Sequence, residues 1–288
     1  MPKDNQILEL KDRGRERRSD WLVRCIPNLY PALSSAHSSL SLEKRTEFPH
    51  ISRRAVGAHL IIIESPRHDD HPHHASERQI ELWLHAAIDL VNELERAKYS
   101  KGVALFRNHG REAGASIAHA HSQIIATPVV PALMQQELRA MQKFQNEEGT
   151  CALCRIRAIE AKSERKILDM KNFTVFAPWA SVFPFEFWIV PKRHWPKILG
   201  LSNDEIKDLS AAIKLSFRAL ANAVSDPPYN MIFHQSPSKS QDKAFHWHIE
   251  VYPKLSIHAG FELGTGTYIN TLMPETAATA LVSTIHQN

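Results

Sequence analysis

Apolar residues recur along this chain with two periods, and the alternation between them outlines its elements. Ile80, Trp83, Leu84, Ala87, Ile88, Val91 and Leu94 fall at the three-and-four spacing of an amphipathic helix. Ile206, Leu209, Ile213, Phe217, Leu220 and Val224 repeat that pattern further on. Ser76 with Gln79, and Ser202 with Glu205, read as capping boxes that open the two helices, and the serines lie 126 positions apart. A β-rich run precedes each helix (GAHLIIIES; FEFWIVPK), and two follow it (VALFRN and SQIIATP; NMIFHQ and HWHIEVYP). The pattern predicts strand, helix and a pair of strands, twice over, in segments from about Trp21 to Pro131 and about Cys151 to Pro253. A polar stretch around Glu137 to Glu148 reads as a helix joining them. The fold class expected is α+β: duplicated units paired edge to edge into one mostly antiparallel sheet flanked by helices, divided as 1–131 and 132–288.

The last strand of each unit carries a His-x-His pair, His119/His121 and His246/His248, with both members offset by 127 positions. His68 and His194 are offset by 126. Alternate residues of a strand share a face, so each pair is expected to put two imidazoles on one surface. Surface histidines on edge strands are the bland explanation, and the duplication argues against it. A neutral imidazole is a competent nucleophile toward phosphorus. Gln123, on the face of His121, offers amide hydrogens to a phosphate oxygen without adding negative charge. The second unit has Glu250 at the matching position and bulky Trp247 in place of Ala120, so only the first unit looks built to meet a phosphate. Ahead of its histidines, GREAGAS supplies Gly110, Gly114, Ala115 and Ser116, which permit close backbone approach and add a hydroxyl donor, with Asn108 a further donor.

Composition narrows the classes. The chain has 288 residues, 43% of them hydrophobic, enough to bury an enzyme-sized core. A net charge of +4 is too mild for a nucleic-acid binder. The basic cluster Lys11 to Arg18 reads as a solvated helical face rather than a polyanion site. Neither a secretory signal nor an apolar run of the ~18 residues a span requires is visible, and three cysteines make no disulfide framework, so a cytoplasmic location is expected. Cys151 and Cys154 form a Cys-x-x-Cys, and the duplication would bring His194 and His246 together. These four make a closed tetrahedral set for a structural Zn2+, with spare or redox thiols as the alternative. HDDHPHH (68–74) reads as a solvated loop or a loose metal binder.

Several motifs carry a family likeness. CIPNLYPAL (25–33), FRNHGREAGASIAHAHSQIIATP (106–128), FEFWIVPKRH (185–194), FHWHIEVYPKL (245–255) and AGFELGTGTYIN (259–270) resemble, in order, the galactose-1-phosphate uridylyltransferase family of the histidine-triad superfamily. The resemblance implies a ping-pong transfer in which His121 takes a uridylyl group from UDP-glucose, releasing glucose 1-phosphate, and passes it to galactose 1-phosphate. It implies phosphate contacts from Gln123, Gly114 and Ser116, nucleotide contacts from Asn28 and Asn108, a hexose contact from Glu262, and a homodimer with shared active sites. The same relatives support the second-unit zinc set. They usually carry a further Cys-x-x-Cys near the amino terminus, completing a first zinc site with positions matched here by His68 and His119. This chain has ILELKDRGRERR there, which implies that the first site is lost or that the gene start is placed late. His119 then orients His121 by hydrogen bonding or has no role beyond its position. Tyr268 stands where the best-known uridylyltransferases have glutamine. Similar wording occurs in ADP-glucose and dinucleoside polyphosphate phosphorylases, so these remain alternatives, as does a nucleotide binder without turnover. A small histidine-triad hydrolase fits less well, because those enzymes place a histidine where Gln123 stands.

Overall fold

A computed structural model describes residues 8–11, 21–33, 44–237 and 243–285. In chain order the elements are β1 (Leu8–Lys11), β2 (Trp21–Pro27), β3 (Lys44–Glu47), β4 (His50–Arg53), β5 (Ala58–Ile63), α1 (Glu77–Arg96), β6 (Gly102–His109), β7 (His121–Thr127), α2 (Ala132–Glu148) and α3 (Ala152–Glu160). They continue as β8 (Lys166–Asp169), β9 (Phe173–Phe176), β10 (Phe187–Pro191), α4 (Asn203–Val224), β11 (Tyr229–His234), β12 (His248–Pro253), α5 (Gly260–Thr265) and α6 (Pro274–Thr284). Apart from the β3–β4 hairpin, the strands form one sheet in the order β1-β2-β5-β7-β6-β11-β12-β10-β9-β8. Each neighbouring pair is antiparallel. Outward from the β6/β11 seam the two sides mirror one another, which is the arrangement the repeated pattern predicts.

Helices α1 and α4 pack together on one face of this sheet. Their apolar stripes join both sides in a single core, with Leu84, Leu105 and Ile124 from the first and Phe187, Phe217 and Ile249 from the second. Burying each such side chain contributes roughly 1.5–3 kcal/mol. Of the predicted helical core only Ile88 and Val224 are part-exposed, because they lie at the margins of their stripes. The α4 capping box is complete, but α1 has only its first half. Ser76 accepts from the Gln79 N–H, while the Gln79 amide donates to the Leu22 and Glu64 carbonyls (2.8 and 2.6 Å) and so ties the helix to two strands.

The two sides differ on the opposite face. Strand β7 alternates buried and part-exposed positions from Ser122 onward, whereas β12 is buried at every position except Tyr252. Helices α2 and α3 account for the difference: with Phe176, Val190 and Phe245, their residues Met141 and Leu153 form a second apolar cluster over the second side. A strand covered on both faces loses the alternation that a half-open one keeps. Two expectations need correction. His119 and His246 precede their strands, which begin at His121 and His248, so the paired imidazoles do not share a pleated face. HDDHPHH is docked through His71, Pro72 and His73, while His68, Asp69 and His74 stay exposed: Arg107 donates to His71 Nδ1 (2.8 Å), and burial lowers His71 to about 3 and His73 to about 4. Of the basic cluster, positions 12–18 lie outside the described residues.

Candidate active site and metal centre

His121 opens β7 and is 5% exposed. Its Nδ1–H donates to the His119 carbonyl at 2.8 Å, and since a carbonyl only accepts, the proton of a neutral ring sits on Nδ1. Nε2 then carries the lone pair. His119 thus orients His121 through its backbone oxygen, while its own ring donates to the Ser65 carbonyl at 2.8 Å.

Gln123 lies two residues on, its Oε1 2.8 Å from His59 Nε2 on β5. Asn28 is beside them, with Nδ2 3.1 Å from the same imidazole and Oδ1 accepting from the Tyr30 N–H. Asn28 and His59 line a cavity of about 310 Å³. Asn108 pairs across the seam with Asn230, whose amide also reaches the Ala113 carbonyl and pins the loop ahead of the histidines. That loop turns at Gly110 (φ 78°), where a Cβ would come within 2.7 Å of Pro228, and at Gly114 (φ 85°). Ser116 is exposed and lines a cavity of about 490 Å³ with His71 and His109. His121, Gln123, Asn28, Asn108, Gly114 and Ser116 therefore lie on or beside the adjoining strands β2, β5, β7 and β6. Glu262 is placed elsewhere, on an exposed segment, where its carboxylate accepts from the Ala259 N–H and caps its own short helix.

The second side keeps the same tautomer lock but closes it. His248 Nδ1 faces the His246 carbonyl at 3.1 Å, while Nε2 meets Glu250 at 2.9 Å and Glu137 at 3.4 Å. The hydrogen bond to Glu250 and the charges of Glu137 and Glu250 raise His248 against the opposing effect of burial. Both ring nitrogens of His248 are thus engaged by the protein. His234 joins through Glu137 (3.0 Å), and Tyr252 donates to Glu250. Glu137, His234 and His248 are close enough to hold a metal ion, and the Glu137 carboxylate lies between the two imidazoles here. Neither Glu137 nor His234 was expected from sequence. Glu137 sits on the joining helix, whose fold-back onto β12 leaves no periodic signal.

Cys151, Cys154, His194 and His246 do come together, every ligand atom within 4.8 Å of the others. Cys154 Sγ lies 3.5 Å from His194 Nδ1 and 3.3 Å from His246 Nδ1, and Cys151 Sγ 3.6 Å from His246 Nδ1. The remaining ring nitrogens donate to the Lys243 and Pro191 carbonyls (2.6 and 3.1 Å), which turns both Nδ1 lone pairs toward the sulfurs. The hydrogen bond shared by the two thiols lowers Cys151 and raises Cys154. Two ionisable sulfurs and two oriented imidazoles are a donor set capable of coordinating a metal. In the first unit His68 and His119 meet with similar ring geometry (centroids 5.3 Å apart, against 4.9 Å for His194 and His246). Among the described residues no further ligand joins them.

A family described as "Domain of unknown function (DUF4921)" matches residues 72–288. ADP-glucose phosphorylase of Arabidopsis thaliana is 37% identical over 265 residues, 90% of this chain and 73% of that protein. Galactose-1-phosphate uridylyltransferase of Thermotoga maritima is 30% identical over 281 residues, 94% of this chain and 87% of that protein. The crystal structure of the Arabidopsis ADP-glucose phosphorylase with bound ADP-glucose superimposes with a TM-score of 0.85 at 33% identity, covering 96% of this chain and 86% of that one. A uridylyltransferase structure gives 0.85 at 29% identity, covering 96% and 93%.

Proposed function

This chain belongs to the DUF4921 family and to the histidine-triad superfamily, with uridylyltransferase and ADP-glucose phosphorylase relatives, and we propose that it is a nucleotide-sugar phosphorylase taking ADP-glucose as donor and inorganic phosphate as acceptor. General histidine-mediated nucleotidyl transfer on nucleotide sugars is the chemistry of these relatives and of this enzyme.

His121 Nε2 attacks the α-phosphorus, an N–P bond forms, the bond to the bridging oxygen breaks, and glucose 1-phosphate departs. A phosphate oxygen then attacks the same phosphorus, the N–P bond breaks, and ADP leaves. The first leaving group is a phosphate oxygen that departs as an anion, and the second is the His121 imidazole, which departs neutral with its proton still on Nδ1, so neither step needs a proton donor. That suits Gln123, which supplies N–H groups to the transferring phosphoryl and no proton. Ser116 and the backbone at Gly114 supply further donors, and Asn28 and Asn108 hold the nucleotide.

The observation that carries this reading is the lone pair on His121 Nε2, fixed by the 2.8 Å bond from Nδ1, whereas Nε2 of its twin His248 is taken up by Glu250 at 2.9 Å. Adenine is preferred over the uracil first expected because the phosphorylase relative is the more similar, at 37% against 30% identity. Tyr268 in place of glutamine points the same way. Cys151, Cys154, His194 and His246 would hold a Zn2+ with all four ligands from the protein, and such an ion would serve the scaffold by tying α3 to the ends of β10 and β12. Ile257, Leu263 and Met273, largely exposed between residues 255 and 273, support a homodimer that completes a hexose site around Glu262. Three free cysteines suit a cytoplasmic enzyme. Among the described residues no helix is long and apolar enough to cross a membrane.

ADP-glucose and UDP-glucose, each labelled in the α-phosphate, are incubated separately with the protein, and acid-labile label on the chain is counted. Label from ADP-glucose that phosphate discharges as ADP, and that His121→Asn abolishes, is the expected result. Label from UDP-glucose discharged by galactose 1-phosphate establishes uridylyl exchange instead. No label from either leaves a nucleotide binder.

A further inference from the structure

We propose that His59 is a positioning residue that fixes which end of the Gln123 amide faces the phosphoryl group, and that it couples this orientation to the segment carrying Asn28. The inference rests on the placement of Gln123 in the reading above and extends it to a residue with no assigned role.

The Ala32 backbone N–H lies 3.1 Å from His59 Nδ1. A backbone N–H only donates, so Nδ1 is the unprotonated nitrogen and the ring proton of a neutral His59 sits on Nε2. Nε2–H then has one acceptor at 2.8 Å, and Gln123 must present its oxygen there. Asn28 Nδ2, at 3.1 Å, is a donor and cannot take that proton, because Asn28 Oδ1 is committed to the Tyr30 N–H at 2.9 Å. With the Gln123 oxygen held by His59, both amide hydrogens point away from His59 and are free to donate. One unambiguous backbone donor therefore sets, through a single imidazole, the polarity of a side chain whose two ends are otherwise nearly equal in shape.

The second side shows what happens without this device. Gln123 pairs with Ile61 as Glu250 pairs with Trp188, so the residue matching His59 is Glu186. Glu186 spends its oxygens on the Val182 and Phe183 N–H groups and the Trp188 indole. Glu250 instead turns one oxygen to His248 at 2.9 Å and the other to the Tyr252 hydroxyl and His234. The segment over His59 is also tied to its backbone, since the Asn28 N–H donates to the His59 carbonyl at 2.9 Å. A shift of residues 28–32 that removes the Ala32 N–H therefore releases the Gln123 amide.

The test uses the full chain. 15N NMR of labelled histidine should find His59 protonated at Nε2 and bare at Nδ1; the opposite tautomer overturns the inference. His59→Phe should lower the single-turnover labelling rate from whichever nucleotide sugar is the donor by roughly 10- to 100-fold, the cost of a lost bond to a charged group. His59→Gln, whose amide nitrogen replaces Nε2–H, should recover most of the rate. In a Gln123→Ala background His59→Phe should change nothing further. A full loss in that background, or an unchanged rate in the single variant, refutes the coupling. ADP and UDP binding by calorimetry on the wild type, His59→Phe, Gln123→Ala and the double variant should show the same non-additivity without turnover. A protein that labels with no sugar nucleotide but keeps the tautomer and the non-additivity refutes the phosphorylase reading alone.

Discussion

Replacing Gln123 with glutamate copies into the first unit the residue the second unit carries at Glu250, and it separates charge from shape. The change keeps the length of the side chain and an oxygen for His59, so packing is preserved. It exchanges two N–H donors for a negative charge next to a phosphoryl group bonded to His121 Nε2. In the second unit the carboxylate reaches His248 Nε2 at 2.9 Å, so a charge separation of ~5 Å from the phosphoryl oxygens is reasonable for the first. At an effective dielectric of about 20, suited to a part-exposed site, two unit charges at that distance repel by about 3 kcal/mol, roughly a 100-fold loss in rate. Loss of the donor alone, in Gln123→Ala, costs roughly 10- to 100-fold. Single-turnover transfer of α-labelled nucleotide onto the chain measures both. Gln123→Glu is expected to fall roughly 100-fold below Gln123→Ala, because only the former carries charge. A glutamate variant as fast as the alanine variant would falsify the claim that the two units are distinguished by charge at this position.

Four Cys/His ligands predict one zinc per chain by atomic absorption. Cys154→Ser should lose it and melt on the order of 10 °C lower, with label transfer retained below the new midpoint; a metal-free wild type contradicts this. Arg107 is 1% exposed, and its guanidinium bonds Glu64, Tyr229 and His71, so Arg107→Met should cost about 3–5 kcal/mol in denaturant titration. Adding Glu64→Leu should restore part of that, and a double variant no more stable than the single one argues against the ion pair. Burial raises Glu186 from 4.5 to about 7, so the folded state binds the extra proton. Stability from this group is then fully present below pH ~4.5 and lost by about pH 7, a change of about 3 kcal/mol that Glu186→Gln should remove from the pH profile. An unchanged slope in that variant would assign the pH dependence elsewhere.

The parts of this protein that follow from local periodicity were readable in its sequence, and the parts that follow from how layers stack were not. Trp83, Leu84, Leu209 and Phe217 are buried where their helical spacing puts them. The constant offset between repeats anticipated the mirror about β6 and β11, and Cys151, Cys154, His194 and His246 met as the duplication required. His119 and His246 were harder, because a two-residue spacing looks the same whether the first member lies in the strand or just before it. Glu137 reaches His234 only because α2 folds back over one side of the sheet, a contact across 97 positions that no window reveals. His59 left a faint trace, a polar residue in an isoleucine run matched by Glu186 in the repeat. Its partner, the Ala32 N–H, belongs to a loop whose path is set by tertiary contact.

The ladder between β6 and β11 has a consequence for how such a gene can change. If the two repeats were expressed as separate polypeptides, Val103, Leu105, Met231 and Phe233, all at most 2% exposed, would lie on newly bared borders with unsatisfied amides along them. Borders of that composition recruit one another indiscriminately, so fission should produce aggregates unless both pieces are made together. The partners are thereby locked into joint inheritance, and the copy covered on both faces stands as the wall against which the other is built.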